Sequence, residues 1–230
     1  MTMVRTVPGC SSWPAGGGGP GGLLEKDLTL QMARRLKATI ESRIGLRVVL
    51  TREGDENVPA DRRTALANNN QADMLLSLHA NASFRLDAHG AQVLSLSLED
   101  YKDRDAVLGT GGLPVPVSGG GMRAIEVVPW EVAQIRFAGR SASLAGVVVR
   151  HLAEQGVPLY MRPADQAPLR ILASANMPAV LVELGFLSNP NDERALGGDE
   201  LTTSIINGLL AAIGEVRAGI PLAAGGGPRP

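Results

Sequence analysis

Three residues that could do chemistry stand at the ends of apolar runs. His79 follows the apolar residues 74–78, Glu183 closes the apolar run 179–182, and Glu25 opens a helical pattern after the glycine-rich residues 16–22. In open α/β sheets, ligands bind beyond the carboxyl ends of the strands. One histidine and two carboxylates suit a catalytic zinc ion and the general base that works beside it.

Each of these residues also has an ordinary structural reading. Glu25 lies on the same helical face as Leu28 and Met32, so its carboxylate leans towards the covered side. A glutamate in a first turn can instead simply complement the helix dipole, and a single histidine is more often a core or surface residue than a ligand. Glu183 suits a structural role least, because carboxylates are seldom buried without a partner.

The elements that must position these residues alternate along the chain. Apolar residues recur every four positions from residue 28 to residue 40, which predicts an amphipathic helix ending near Gly45. Further strands are predicted at residues 46–51, 74–78, 91–97 and 179–182, and further helices at residues 61–70, 141–155 and 201–216. This alternation predicts a single α/β domain, with a mostly parallel or mixed twisted sheet covered by helices on both faces.

Composition excludes several classes of protein. The chain has 230 residues, 44% hydrophobic residues and a net charge of −1, which fits one globular domain and argues against nucleic acid as a partner. A single cysteine cannot form an intrachain disulfide. No run approaches the roughly 20 apolar residues of a membrane span, and the first residues show no apolar core of a signal peptide.

Several blocks of sequence together resemble one enzyme family. Residues 22–30, 49–52, 61–63, 72–82 and 177–190 resemble, in order and approximate spacing, the N-acetylmuramoyl-L-alanine amidases that trim bacterial peptidoglycan. The resemblance covers roughly residues 8 to 216. It implies hydrolysis of the amide bond between N-acetylmuramic acid and L-alanine with a zinc cofactor, in cell-wall turnover and cell separation.

The resemblance also implies roles for individual residues and for partners. Glu25 and His79 would be zinc ligands, and Glu183 the catalytic carboxylate that takes a proton from water and passes it to the leaving amine. Asn81 would support the ligands or, equally, only terminate its strand. The partners would be glycan strands and stem peptides, with an activator protein of unknown identity, in a periplasmic or extracellular location.

The match breaks at the start of the chain. The family opens with a strand and the sequence Asp-Pro-Gly-His-Gly-Gly, whose histidine is the third zinc ligand, whereas residues 7–12 here read Val-Pro-Gly-Cys-Ser-Ser. Counting back from Glu25 without a gap places Cys10 at the histidine position. Cys10 either replaces that ligand as a thiolate, or the first twenty or so residues are corrupted and have lost the opening strand and a signal peptide. We favour the second interpretation, and His89 and His151 are weaker substitutes expected to face solvent.

These observations predict a domain organisation and leave rival functions open. Residues 1–216 would form the catalytic domain, with an irregular start at 1–22 and an insertion near the site at 99–140, followed by a disordered tail at 217–230. One rival is a degenerate amidase domain that binds peptidoglycan with little turnover. Another is a cysteine hydrolase with Cys10 as nucleophile and His79 as base, which leaves both glutamates without a role.

Overall fold

A mixed β-sheet organises the part of the chain that the structure describes. The computed structural model describes residues 2–6, 18–97, 113–116, 122–125 and 130–219. The strands are β1 (Thr2–Thr6), β2 (Met74–Asn81), β3 (Ala91–Leu96), β4 (Leu113–Pro116), β5 (Met122–Ile125), β6 (Leu159–Ala167) and β7 (Ala179–Phe186). Five of them form one sheet in the order β1-β2-β7-β3-β6, and β4 pairs with β5 in a separate antiparallel hairpin.

The five-stranded sheet is mixed, with one antiparallel pair between β3 and β7. β1, β2 and β7 run parallel to one another, whereas β3 is antiparallel to β7 and parallel to β6. The carboxyl ends of β2 and β7 therefore lie side by side at one edge of the sheet, which is where this class of fold places its ligands.

Long helices cover one face of the sheet. They are α1 (Glu25–Ile44), α3 (Ala138–Glu154) and α6 (Asp199–Gly219). Buried apolar residues four apart on α1, such as Leu28, Met32 and Leu36, pack in one cluster with Leu76 of β2 and Val180 of β7. Gly45 ends α1 in the left-handed conformation at φ 64°, where a residue without a side chain is least strained.

Shorter helices cover the other face. They are α2 (Ala60–Asn69) and α4 (Arg170–Ala173), and their Ala67 and Leu172 share a smaller apolar cluster with Leu75 and Leu181 of the strands. Leu75 and His79 lie on this same face, because side chains alternate along a strand. The predicted α/β domain with helices on both faces of a mixed sheet is confirmed.

One predicted strand is absent, and one observed strand was not predicted. Residues 46–51 form no strand, and only Val48 takes part in a single β-bridge. The apolar residues of this segment alternate because Val48 and Leu50 are buried in the larger core cluster, not because the segment pairs in a sheet. β6 was missed because Pro163 and a largely exposed pattern disguise it, as is common in a strand at the edge of a sheet.

The ends and the long middle segment are described only in part. The opening strand is present, since β1 pairs in parallel with β2, so the expectation that a corrupted start had lost it is wrong. Of the predicted insertion at 99–140, the structure describes β4, β5, a 3-10 helix at Trp130–Phe137 and the first three residues of α3, and the other residues lie outside the described ranges. Residues 217–219, predicted to belong to a disordered tail, are helical, because α6 continues to Gly219; the rest of that prediction, at 220–230, lies outside the described residues. None of the helices in the described ranges has the length and apolar character needed to cross a bilayer.

Candidate active site

The ends of β2 and β7 carry the first two site residues. His79 of β2 and Glu183 of β7 are register partners, so their side chains leave the sheet on the same face. Gln92 of β3 pairs with Glu183 from the other side. The ladder breaks its register just after His79, between that residue and Asn81, which marks the end of regular pairing.

Glu25 reaches this edge from the opposite layer of the fold. It is the first residue of α1 and is buried, and its Oε1 lies 3.0 Å from His79 Nδ1. The backbone N–H of Ala80 donates to the same oxygen at 3.4 Å. A carboxylate only accepts hydrogen bonds, so Nδ1 is the donor in this pair, while Nε2 lies 3.1 Å from the Ser77 hydroxyl. Both nitrogens of the imidazole are thus held in place.

Glu183 lies in an environment that disfavours its charge. Its Oε2 is buried and has no hydrogen-bond partner within the described part of the chain, although the residue as a whole keeps some exposure. Burial, and to a lesser degree the nearby negative charge of Glu25, raises the pKa of Glu183 to about 8. A carboxyl group with a pKa close to neutral is suited to accept and return a proton.

The chemistry of these donors fits part of a zinc site. A carboxylate and an imidazole are common zinc ligands, and the orphaned oxygen of Glu183 is the kind of atom that a water molecule or cation would satisfy. A catalytic zinc takes three protein ligands. Within the described ranges no group of three or more His, Cys, Asp or Glu side chains could hold a metal ion. Glu25 and His79 therefore fit two of the three zinc ligands, and the described residues do not supply the third.

The structure brings together most of the predicted site. Glu25, His79 and Glu183 converge at one sheet edge as expected, whereas Cys10 lies outside the described residues and stays a prediction. Asn81 is the last residue of β2, and its Oδ1 accepts from the next backbone N–H, that of Ala82, at 2.8 Å, which fits the strand-ending alternative.

The other two histidines lie away from these contacts. His89 is exposed and contacts the carbonyl of Asp87. His151 lies on α3 between Glu154 and Glu215, with its side chain 14% exposed, so it is less open to solvent than predicted.

Sequence reasoning missed the residues that support the site. Ser77 had a usable signal, because it is a polar residue within an apolar strand and lies two positions before His79. α5 (Pro190–Leu196) follows β7, and its N-terminus is capped by the Asn189 side chain, which accepts from the N–H groups of Asn191 and Asp192.

Comparisons with known proteins agree with this geometry. The chain is 30% identical over 209 residues to the N-acetylmuramoyl-L-alanine amidase AmiC of Neisseria meningitidis serogroup B, with 86% of this chain and 48% of the relative aligned. It is 28% identical over 216 residues to AmiC of Escherichia coli O6:H1, covering 92% of this chain and 52% of the relative. The chain thus spans about half the length of these curated relatives.

The fold also has solved counterparts. The N-acetylmuramoyl-L-alanine amidase AmiC2 of Nostoc punctiforme superposes with a TM-score of 0.68 at 23% identity, covering 94% of this chain and 97% of that structure. At this identity the likeness shows the fold alone. A family model described as N-acetylmuramoyl-L-alanine amidase matches residues 7–215. Since that match spans most of the sequence, this chain belongs to the N-acetylmuramoyl-L-alanine amidase family.

Proposed function

We propose that this chain is a zinc-dependent hydrolase that cleaves the amide bond between N-acetylmuramic acid and L-alanine in peptidoglycan. The observation that carries the proposal is the convergence of a buried Glu25–His79 pair and a buried, unpartnered carboxylate at one sheet edge. Substrate and reaction follow from the family. Because the substrate is the cell wall, the protein would work outside the cytoplasm, on glycan strands and their stem peptides, during wall turnover and cell separation.

Glu25 and His79 would hold the zinc ion, together with a third ligand from outside the described residues. When bound, zinc supplies a Lewis acid that polarises the amide carbonyl and lowers the pKa of its water to about 7. Ser77 and the backbone N–H of Ala80 keep His79 and Glu25 in their orientation.

Glu183 would move the proton. Its carboxylate takes a proton from the attacking water while the water oxygen bonds to the amide carbon. The same carboxyl group then gives that proton to the nitrogen as the C–N bond breaks, which releases the peptide amine and the muramic acid carboxylate. Burial of Oε2 keeps bulk water from exchanging this proton.

Glu183→Gln tests this role directly. The amide keeps the shape of the side chain but cannot accept the proton, so peptide release from purified peptidoglycan should fall by about 100- to 10,000-fold. Zinc content, measured by mass spectrometry of the purified protein, should not change. Glu200→Gln, at an exposed position in the first turn of α6, is the matched control and should keep full activity. Undiminished hydrolysis by Glu183→Gln would show that another group handles the proton.

The same assay separates the rival functions. Inhibition by a chelator and recovery with zinc supports the metalloenzyme. Binding to peptidoglycan with neither zinc nor turnover supports a degenerate domain, which the two-ligand site of the described residues would explain. Inhibition by a thiol alkylator alone supports a cysteine hydrolase.

Cys10→His tests the third ligand. We expect Cys10 to lie near the metal position, and a neutral imidazole to bind zinc there without the extra negative charge of a thiolate. Zinc affinity and turnover should both rise, and restoring glycine at Ser11 and Ser12 should help if the loop is too stiff. A parent chain that is already fully active, with no gain from Cys10→His, would mean that a different residue completes the site.

A further inference from the structure

Glu193 of α5 is a buried glutamate that forms hydrogen bonds with the loop of residues 19–24, just before α1. Glu193 is 6% exposed, and its two carboxylate oxygens accept from separate backbone N–H groups. Oε2 accepts from Gly21 at 2.7 Å and Oε1 from Leu23 at 3.0 Å. Because one buried side chain accepts from two backbone N–H groups of the loop, this contact fixes the position of the loop.

The glycines of this loop make room for that carboxylate. A Cβ added at Gly19 would lie 2.3 Å from Glu193 Cδ, and one added at Gly21 would lie 3.0 Å from Oε2. Gly22 adopts φ +91° and closes a turn by donating to the carbonyl of Gly19 at 3.0 Å. Gly19 and Gly21 therefore let the loop wrap closely around Glu193.

The loop needs this support because α1 lacks an ordinary cap. Its N-cap residue is Leu24, whose side chain forms no capping hydrogen bond. Capping residues normally fix the first turn of a helix by accepting from its free N–H groups. Here the carboxylate of Glu193 holds the residues just before the helix instead, and Glu25 follows Leu24 directly.

The same short helix is anchored to the strand that carries Glu183. Asp192 Oδ2 accepts from Phe186 at the end of β7 at 2.9 Å, and from Gly90 just before β3 at 2.8 Å. Asp192 and Glu193 are neighbours in sequence. Together they join the strand of Glu183 to the loop that presents Glu25.

We propose that Glu193 is a positioning residue that sets the carboxylate of Glu25 against His79 and at a fixed distance from Glu183. Its side-chain hydrogen bonds go to the backbone of Gly21 and Leu23, so it acts through the backbone of residues 19–24. Its consequence for zinc affinity rests on the function proposed above, whereas its effect on the Glu25–His79 contact does not.

Glu193→Gln is the first test, with Glu200→Gln as the matched exposed control. The amide can accept at only one of its two positions and presents an N–H group to the other donor, so one hydrogen bond is lost. In the metal-free protein, amide exchange at Gly21 and Leu23 should speed up, and the imidazole ¹⁵N shifts of His79 should move towards those of an unpaired ring. Neither should change in the control.

Zinc binding and kinetics give the functional readout. Zinc affinity, measured by competition with a chelator, should fall by about 10- to 100-fold in Glu193→Gln, the range seen when a residue behind a metal ligand is lost. At saturating zinc, kcat should fall while KM stays close to the parent value. Parent-like His79 shifts in Glu193→Gln would overturn the proposal even if the loop exchanged faster. If even the parent chain bound no zinc, the proposed function would fail while the His79 shifts still decided the positioning role.

A double-mutant cycle guards against simple misfolding. Gly19→Ala should disturb the His79 shifts on its own, because its Cβ meets the Glu193 carboxylate, and should do so far less in a Glu193→Ala background. Gly54→Ala, where the added Cβ meets nothing within 4 Å, is the control for a loop glycine. Additive effects of Gly19→Ala and Glu193→Ala would contradict the proposed contact.

Discussion

Two groups of histidine and carboxylate side chains in the described part of the chain differ in their surroundings. In the first, His79 and Glu25 meet at 3.0 Å in the interior, with Glu183 close by. In the second, both nitrogens of His151 lie 2.7 Å from glutamate oxygens, those of Glu154 and Glu215, on the surface between α3 and α6.

The difference lies in how the negative charges are balanced. On the surface, the Arg150 guanidinium lies 2.6 Å from Glu215. Its hydrogen bond, and to a lesser degree that of His151, holds the pKa of Glu215 below its usual value. In the interior, the pKa of Glu183 is raised, and its Oε2 contacts no cation within the described ranges. Arg150 thus balances the surface group, which is also open to solvent, whereas Glu183 Oε2 in the interior has no hydrogen-bond partner among the described residues. A buried, unpartnered carboxylate with a raised pKa, rather than residue type alone, singles out the interior group as the candidate functional site.

The largest expected contrast comes from removing each histidine. His79→Ala should lower zinc affinity by more than about 100-fold, beyond the loss typical of residues that only support a ligand. His151→Ala should leave zinc affinity and peptidoglycan hydrolysis unchanged, because its partners keep Arg150 and water. Chelator competition and turnover on both variants make the comparison. Equal losses in the two would show that the surface group also serves the reaction.

A smaller effect is expected in the pH dependence of stability. The folded-state pKa of Glu183, about 8, lies above the ordinary glutamate value of 4.5, so the folded protein binds the proton more tightly than the unfolded chain does. Its contribution to stability is complete below about pH 4.5 and is lost as pH rises through about 8. The Tm of the metal-free protein should therefore fall across this window, and Glu183→Gln should flatten the fall. Bound zinc should also make this fall in Tm smaller, because a cation favours the ionised form of the Glu183 carboxylate. An identical slope in parent and variant would contradict the raised pKa.

The smallest effect belongs to Glu215→Gln. The folded-state pKa of Glu215 is lowered, so its contribution is present above the unfolded-state pKa and is lost as pH falls through the folded value. Exposed ion pairs contribute little and are screened by salt. The variant should show a slightly lower Tm at neutral pH and low salt, with the difference fading at acid pH or high salt. A large, salt-independent loss of Tm would mean that this surface group is structurally essential.

The sequence predicted the site residues that end strands better than it predicted the elements around them. His79 and Glu183 could be found because an apolar run followed by a polar residue is a local signal. β6 could not, since Pro163 and exposed polar residues hide an edge strand. Residues 46–51 gave the opposite error, a predicted strand that is absent. Burial of Val48 and Leu50 produces an alternating apolar pattern there although the segment does not pair as a strand.

What the sequence determined by itself was the family, the alternation of helices and strands, and the positions of Glu25, His79 and Glu183 at the starts or ends of those elements. These follow from residue types, periodicity and matched blocks, all of which are readable along the chain. Only the tertiary structure decided that Glu25 contacts His79 across 54 positions and that Glu193 holds Gly21 across 172. Contacts of this kind depend on how α1 and α5 pack against the ends of β2 and β7, and no local pattern encodes the distance between two elements that meet only after folding.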